Sequence, residues 1–316
     1  MSSPASGHAT PGERWISFLR SYGPINKSDG MFAETVSRQA KAHGVAQLAF
    51  EHPETATLTE SIDPGEGRLT NVILTGTAGD GKTSLCNALW RRLTGDDSRQ
   101  TGQNRDNYGR VQLATSVGER TLHFIFEFSG FTPEQGQRWT AEQVDLLDRF
   151  ARSVLDPGPV EYFVVAANDG KLVQAFDSLP DTADLRLKPI IETMLTRDQR
   201  SHEGAALQFL NLSRMATSDL FERALSCLVG RPEWICFEDE VDDPAFGAQS
   251  PLYKNFQLLQ EPRIRQRQHA LAELCDSNGF HVSLRDILLL LINGLLGYTG
   301  GDGVMRADVL RELVCD

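Results

Sequence analysis

One glycine-rich loop constrains the fold of this chain more than any other feature: Gly76-Thr77-Ala78-Gly79-Asp80-Gly81-Lys82-Thr83. An apolar, β-type run at 69–74 leads directly into it, and 82–93 then repeats apolar residues at helical spacing. The full pattern Gly-x-x-x-x-Gly-Lys-Thr carries weight in this strand–loop–helix setting. The sequence therefore predicts an α/β unit in which the loop joins a strand to a helix. A chance glycine turn before a helix is the alternative.

The residues of this segment, which we call the glycine loop (76–83), have the chemistry of a phosphate site. Glycines let the backbone curl so that successive N–H groups point at phosphate oxygens, and the following helix adds the positive end of its dipole. Lys82 is expected to bridge β- and γ-phosphate oxygens, and the Thr83 hydroxyl to bind Mg²⁺. We therefore predict ATP with Mg²⁺ as the ligand, with the acid Asp80 pointing outward. The predicted nucleotide-binding residues are Gly76, Thr77, Ala78, Gly79, Asp80, Gly81, Lys82, Thr83 and Ser84.

The remaining patterns predict an alternating core followed by helices. Strand patterns after the loop occupy 110–116, 121–128, 161–167 and 206–212, and helical patterns occupy 140–155 and 189–195. This order predicts a P-loop NTPase fold, an α/β core with a doubly wound, mostly parallel sheet, over residues 69–215. Helical patterns dominate 216–316, which we expect to form a smaller lid-like domain. Residues 1–12 are predicted to be disordered, 13–68 to be an N-terminal helical segment and linker, with the linker or loop at 51–68, and 94–108 to be a polar surface insert.

Composition argues against several classes of protein. The formal net charge is −12, so the surface as a whole does not attract nucleic acid. Contact with DNA through partners or through the basic segment 262–269 stays open, and the alternative for that segment is the solvated face of a helix. Five cysteines without a CxxC pair disfavour a disulfide framework or a zinc site. The N-terminus has no signal pattern, and the longest apolar run, 287–296, is too short to span a bilayer. We expect a cytoplasmic protein without membrane contact.

Two predicted strands end in polar side chains that suit triphosphate chemistry. The run 122–126, expected to form a strand that neighbours the strand of the loop, ends at Glu127, a candidate catalytic carboxylate and Mg²⁺ ligand. Related strands commonly end in two acids, whereas only Glu127 is present here, so a simple capping role stays open for it. The strand 161–167 ends at Asn168, where a polar side chain can position water beside the γ-phosphate. The alternative is that Asn168-Asp169-Gly170 is only a turn.

Taken with the glycine loop, later segments resemble an AAA+-type P-loop ATPase of bacterial anti-phage defence, in particular the DptF family of phosphorothioation-dependent DNA restriction. The resemblance lies between residues 70 and 301, and only the glycine loop is specific by itself. It implies an ATPase that acts as a homo-oligomer with other defence-system proteins. The segments that carry it beside Leu74-Thr75 and the loop are Ala166-Ala167-Asn168-Asp169-Gly170-Lys171-Leu172, Pro251-Leu252-Tyr253-Lys254-Asn255-Phe256-Gln257-Leu258-Leu259, Leu284-Arg285-Asp286-Ile287-Leu288 and Thr299-Gly300-Gly301.

The resemblance also implies roles for individual polar residues. Asn168 would occupy the sensor-1 position, and arginines would stabilise charge on the γ-phosphate. Arg285 stands at the start of the apolar helical pattern 283–296, a position in the lid. Arg197 and Arg200 lie in the region of an intersubunit arginine finger. For all three arginines, a solvated surface position is the alternative.

Three functions stay open from the sequence. The main hypothesis is an ATPase whose cycle drives or gates a multi-protein defence complex acting on foreign DNA. The second is a nucleotide-binding switch or scaffold with little hydrolysis, because Glu127 is the single acid at its strand end. The third is a P-loop kinase acting on a small molecule, which the helical C-terminal region and the lack of an arginine-rich lid disfavour.

Overall fold

The structure is a computed structural model that describes residues 9–22, 33–99, 106–133, 137–239, 243 and 245–297. It divides into two compact units. One is Glu51–Met215, and the other combines Met1–Phe50 with Ala216–Asp316. The N-terminal helices therefore belong with the C-terminal ones, whereas the sequence suggested a separate segment at 13–68.

The described part of the chain contains short and long elements of both kinds. The strands are β1 (Ile62–Asp63), β2 (Arg68–Leu69), β3 (Asn71–Thr75), β4 (Tyr108–Thr115), β5 (Gly118–Ile125), β6 (Glu161–Ala166), β7 (Ser201–His202) and β8 (Ala205–Asn211). The α-helices are α1 (Pro11–Leu19), α2 (Ala33–His43), α3 (Thr55–Ser61), α4 (Lys82–Thr94), α5 (Phe128–Phe131), α6 (Ala141–Leu155), α7 (Asp169–Asp177), α8 (Lys188–Arg197), α9 (Thr217–Val229), α10 (Cys236–Asp239), α11 (Pro251–Gln260), α12 (Pro262–Ser277) and α13 (Leu284–Leu296).

A mixed six-stranded sheet forms the centre of the Glu51–Met215 unit, with the strand order β4-β5-β6-β3-β8-β7. The four inner strands are parallel, and the edge strands β4 and β7 run antiparallel to their neighbours. The α/β class with a mostly parallel sheet is thus confirmed. Because carboxyl ends of parallel strands meet at one edge of a sheet, the residues that follow β5, β6, β3 and β8 converge there.

Helices cover both faces of this sheet. On one face, Ile73 and Val165 pack with apolar residues of α6, α7 and α8. On the other face, Leu74 and Val164 pack with apolar residues of α3 and α4. Successive side chains of a strand point to opposite faces, so strands that are apolar throughout produce two cores.

A buried asparagine holds the three central strands in register. The Oδ1 atom of Asn71, at the start of β3, accepts hydrogen bonds from the N–H of Phe163 (2.9 Å) and from Ser153 Oγ (3.0 Å). Its Nδ2 donates to the carbonyl oxygens of Ser153 (3.1 Å) and Ala206 (3.0 Å). The side chain therefore uses both of its donors and two acceptor positions. These bonds fix β6 and β8 relative to β3, and with them the residues at their carboxyl ends.

Two segments predicted to be irregular are built into the α/β unit. Residues 51–68, predicted as a linker, form α3 and the hairpin β1–β2, and Leu58 and Ile62 lie in the apolar core. In the predicted surface insert 94–108, Arg99 is buried with its guanidinium 3.3 Å from the ring centroid of Phe126. Residues 100–105 lie outside the described part of the chain. The polar composition of 51–68 gave no helical or strand pattern, although two buried apolar side chains anchor the segment. Residues 95–99 of the insert form no helix or strand, as predicted.

Aromatic side chains form the centre of the helical unit. Trp15 of α1 is fully buried and packs edge-on against Trp234, with ring centroids 5.4 Å apart. Trp234 in turn stacks on Phe256 of α11 at 4.3 Å. This packing explains why α1 groups with the C-terminal helices. Among the described residues, no helix has both the length and the apolarity needed to cross a membrane.

The start of α1 corrects the disorder predicted for residues 1–12. The Thr10 hydroxyl accepts from the N–H of Glu13 (3.3 Å), and the Glu13 carboxylate accepts from the N–H of Thr10 (2.8 Å). This reciprocal capping box, with Pro11 next to it, begins the helix within the segment predicted to be disordered. The prediction is wrong for residues 9–12, and residues 1–8 lie outside the described residues.

Asp276 of α12 caps helix α9 from another part of the helical unit. Its carboxylate accepts hydrogen bonds from the backbone N–H groups of Thr217 (2.6 Å) and Ser218 (3.0 Å) and from Ser218 Oγ (2.8 Å). Burial raises the pKa of the Asp276 carboxyl, but the hydrogen bonds from Ser218 and Thr217 outweigh this and hold its pKa below the ordinary value. The charged carboxylate therefore stabilises the folded unit.

We expect Asp276→Asn to lower the free energy of unfolding by about 1 kcal/mol at neutral pH, the usual cost of weakening a helix cap. Because the pKa of Asp276 is lowered in the folded state, its carboxylate contributes stability at pH values above the unfolded-state pKa of about 3.9. This contribution is lost as the pH falls through the folded-state pKa. Urea unfolding at neutral and at acidic pH measures the difference from wild type, which should shrink in acid. Asp181→Asn, at an exposed position, is the control. A difference that is constant with pH would contradict a charged cap.

Candidate functional site

The glycine loop leaves β3 at the carboxyl edge of the sheet and leads into α4. Gly76, Gly79 and Gly81 have φ angles of +135°, +98° and +93°, a region in which other residues are strained. A Cβ atom on Gly76 would also lie 2.6 Å from Asp80 Oδ2. The glycines are therefore required by the backbone path of this loop. As predicted, a helix begins at Lys82 directly after it.

Several backbone N–H groups of the loop and of the first turn of α4 make no hydrogen bond within the described part of the chain. At this end of α4 they add to the positive end of the helix dipole. Ala78 and Ser84 are exposed, so the array is open to solvent. Unbonded N–H groups at a helix N-terminus are a site for an anion such as a phosphate group. The groups concerned belong to Ala78, Gly79, Gly81, Thr83 and Ser84.

Lys82 brings a positive charge to the same place. Its Nζ donates hydrogen bonds to the carbonyl oxygens of Gly76 (3.0 Å) and Thr77 (2.6 Å), and the residue is only 6% exposed. The ammonium group is thus held against the loop itself. An ammonium beside an array of N–H donors favours a ligand with more than one negative charge.

Asp80 does not point outward, and this prediction is wrong. The residue is 1% exposed, and its Oδ2 accepts hydrogen bonds from Thr77 N (2.7 Å), Thr77 Oγ1 (3.1 Å) and Ser213 Oγ (2.7 Å). Ser213 follows β8, the strand beside β3. The reason for the inward position is that these three donors satisfy a carboxylate that would otherwise be costly to bury. Ser213 was not predicted, since nothing in its local sequence signals this contact.

Asp169 is a second carboxylate that the sequence did not single out. Its Oδ1 accepts a hydrogen bond from the Gly76 N–H at 3.0 Å and another from the Thr75 hydroxyl. Burial raises the pKa of the Asp169 carboxyl, although the Gly76 N–H and the charge of Lys82 act in the opposite direction. The position of Asp169 directly after Asn168, at the end of a strand parallel to β3, is the signal that could have identified it.

Asn168 lies at the carboxyl end of β6, beside the start of the glycine loop. The N–H of the preceding residue, Ala167, donates to Leu74 O at 2.9 Å. This hydrogen bond continues the parallel pairing of β6 with β3 up to Asn168. Asn168 stands at the N-terminus of α7, a helix that was not predicted because 168–170 suggested a turn. The Asn168 side chain makes no hydrogen bond to any other residue that the structure describes.

Glu127 follows β5, which β6 separates from β3. The sequence suggested a strand next to that of the loop, so an intervening strand is a correction. Its carboxylate accepts hydrogen bonds from Ser129 Oγ (2.6 Å) and Ser129 N (3.4 Å) and caps the short helix α5. Burial raises the pKa of the Cys86 thiol on α4 to about 12, and the charges of Arg99, Glu127 and Lys82 act on it as well. Glu127 thus lies at the carboxyl end of β5, on the loop side of the sheet.

The three predicted arginines differ in their surroundings. Arg200 pairs with the buried Glu54 carboxylate, Nη2 to Oε1 at 2.6 Å, so it is engaged within its own unit. Arg197 is exposed at the end of α8 and makes no ion pair with the residues described here. Arg285 belongs to the helical unit, in the first turn of α13, which Ser283 caps as its side chain accepts from Asp286 N at 3.3 Å. Roles for Arg197 and Arg285 at a γ-phosphate stay predictions.

The basic segment 262–269 forms the first turns of α12 and does not act as one patch. The guanidinium of Arg265 pairs with Glu222 of α9, whereas Arg263 and Arg267 are exposed. Two cations are thus available for a partner rather than a continuous basic surface.

The residues present suit Mg²⁺ bound together with a triphosphate rather than an ion held by protein alone. Among the described residues, no group of three His, Cys, Asp or Glu side chains is arranged to hold a metal ion. The Thr83 hydroxyl makes no hydrogen bond to a described residue and stands in the first turn of α4. Mg²⁺ typically takes one or two protein oxygens and the rest from phosphate and water. Thr83 offers one such oxygen, and Glu127 follows a strand whose carboxyl end lies on the same side of the sheet.

Comparisons with protein-family models, with curated proteins and with solved structures find no match for this chain. The interpretation of the site therefore rests on the geometry of the glycine loop and the strand ends around it.

Proposed function

We propose that this chain binds ATP with Mg²⁺ in the glycine loop and that its α/β unit is a P-loop NTPase core of the AAA+ type. The observation that carries the proposal is the array of unbonded N–H groups from Ala78 to Ser84 beside the Lys82 ammonium. The N–H groups and Lys82 would hold the β- and γ-phosphates, and the Thr83 hydroxyl would bind Mg²⁺. When bound, Mg²⁺ neutralises charge that develops on the phosphate oxygens.

Hydrolysis is the proposed activity. Glu127 would be the carboxylate that orients the attacking water, and the Asn168 side chain would position water beside the γ-phosphate. Both follow strands whose carboxyl ends lie on the loop side of the sheet, and the Asn168 amide makes no hydrogen bond to a described residue. A nucleotide-binding switch with little hydrolysis is the second candidate. The observation that favours it is the hydrogen bonding of Glu127 to Ser129, which employs the only acid at this strand end in a cap.

The wider role we propose is to drive or gate a multi-protein bacterial DNA restriction or anti-phage defence complex. The support is the resemblance of the loop and later segments to that class of ATPase. In this role the chain would act in the cytoplasm as a homo-oligomer, with other defence-system proteins as partners and with Arg285 acting at the γ-phosphate. Contact with DNA would be made through partners or through exposed cations such as Arg263 and Arg267.

Titration of the purified chain with a fluorescent ATP analogue tests the proposal. We expect saturable binding that ATP displaces, that AMP displaces poorly and that weakens when EDTA removes Mg²⁺, because the site recognises phosphates and their metal. Phosphate release, measured with and without DNA, then separates an ATPase from a switch. A complete lack of ATP-displaceable binding would refute the proposed function.

A further inference from the structure

Side chains hold every main-chain polar group of Gly76 and Thr77, which we call the loop stem. The Gly76 N–H donates to Asp169 Oδ1 at 3.0 Å, and both stem carbonyl oxygens accept from Lys82 Nζ. The Thr77 N–H is shared between Asp80 Oδ2 (2.7 Å) and Ser213 Oγ (2.9 Å). The stem thus differs from the following residues, 78–84, where unbonded N–H groups gather.

Asp80 and Ser213 connect the loop stem to the segment that follows β8. The Ser213 hydroxyl donates to Asp80 Oδ2 at 2.7 Å and accepts from the Thr77 N–H, so each of the three groups contacts the other two. The two partners are 133 residues apart in sequence and meet because β8 pairs with β3. Gly76 leaves the room for this contact, since its Cβ would collide with Asp80 Oδ2.

We infer that Asp80 and Ser213 are a positioning pair that holds the loop stem so that the N–H array is formed before a triphosphate arrives. The inference rests on the proposed function and adds two residues to it. Binding is stronger when the binding conformation exists beforehand, because less ordering is needed on association. The Asp80 carboxylate does this by accepting hydrogen bonds from the Thr77 N–H, the Thr77 hydroxyl and the Ser213 hydroxyl. It thereby leaves the unbonded N–H groups of 78–84 available to a ligand.

The negative charge of Asp80 makes the inference testable, because two explanations predict opposite changes in nucleotide affinity when Asp80 is removed. If Asp80 acted on the ligand only through its charge, its removal would tighten binding of the anionic nucleotide. If Asp80 positions the stem, its removal weakens binding even though a negative charge that repels the nucleotide is gone. Ser213→Ala removes only a hydroxyl and changes no charge.

The experiment measures the Kd for Mg-ATP in Asp80→Ala, Ser213→Ala, the double variant and Ser213→Thr, with Asp181→Ala as the charge control at an exposed site. We expect about tenfold weaker binding for Asp80→Ala and about fivefold for Ser213→Ala, as for loss of hydrogen bonds to a charged and a neutral group. The double variant should bind no more weakly than Asp80→Ala, because the pair acts as a unit. Ser213→Thr, which keeps the hydroxyl, should restore most of the affinity. Tighter or unchanged binding by Asp80→Ala, or additive losses, would overturn the inference.

Amide hydrogen exchange on the nucleotide-free protein separates this inference from the proposed function. Exchange at the Thr77 amide should accelerate in Asp80→Ala and in Ser213→Ala and stay unchanged in Asp181→Ala, with thermal unfolding confirming that each variant is folded. Should Asp80→Ala fail to fold, Ser213→Ala alone decides. If the wild type binds no Mg-ATP, the proposed function fails while the exchange result still supports or refutes the pair. Unchanged exchange at Thr77 in both variants would refute it.

Discussion

Replacing Lys82 with alanine is expected to weaken binding of Mg-ATP by about 100-fold or more. Truncating one partner of a buried, hydrogen-bonded charge pair commonly costs 2–5 kcal/mol, and about 1.4 kcal/mol corresponds to a tenfold change. Lys82 is 6% exposed, and its ammonium lies against the carbonyl oxygens of the loop stem. Without a ligand, the variant should also lose some stability, because the Gly76 carbonyl oxygen accepts a buried hydrogen bond from Lys82 Nζ.

The measurement is the Kd of Mg-ATP by calorimetry or by displacement of a fluorescent analogue. Lys188→Ala is the matched control, because Lys188 lies in the same unit and pairs with Asp177 at 2.6 Å, at the far end of α7 from the loop. That variant should bind ATP like the wild type. An unchanged affinity in Lys82→Ala would refute the nucleotide site itself, and equal losses in both variants would point to a general effect of charge.

Replacing Glu127 with glutamine is expected to leave binding of Mg-ATP nearly unchanged and to slow its hydrolysis by about 100-fold or more. A positioned general base contributes roughly 10²–10⁴-fold to a rate, and an amide cannot take the proton from water. Binding and hydrolysis should respond differently because Glu127 follows β5, two strands from β3, whereas the proposed phosphate contacts belong to the glycine loop. Steady-state phosphate release under saturating ATP measures the effect.

Ser129→Ala separates the two roles of Glu127. It removes the hydroxyl that donates to Glu127 at 2.6 Å and weakens the cap of α5, but leaves the carboxylate in place. If Glu127 is catalytic, Ser129→Ala should retain much of the turnover that Glu127→Gln loses. Equal turnover in the wild type and in Glu127→Gln would mean that Glu127 is only a cap. Binding without turnover in the wild type would favour the switch.

Local patterns predicted much of the α/β unit. The helix after the glycine loop and the apolar strands at Glu161–Ala166 and Ala205–Asn211 lie close to their predicted positions. Each pattern depends on neighbours in sequence, such as apolar period and glycine conformation. Helix α7 was missed because Asn168-Asp169-Gly170 also has the composition of a turn, and α3 because its segment is rich in polar residues. Both helices form because the sheet offers them an apolar face.

The sequence by itself determined that a glycine-rich loop would follow a strand and begin a helix, since Gly76, Gly81 and Lys82 act through local backbone freedom and local charge. Only the tertiary structure decided that Asp80 turns inward and that Asp169 and Ser213 hold the loop stem. These partners lie 93 and 133 residues from the groups they contact. They meet the loop because β6 and β8 pair with β3, and strand pairing over such separations is a property of the assembled sheet that no local pattern encodes.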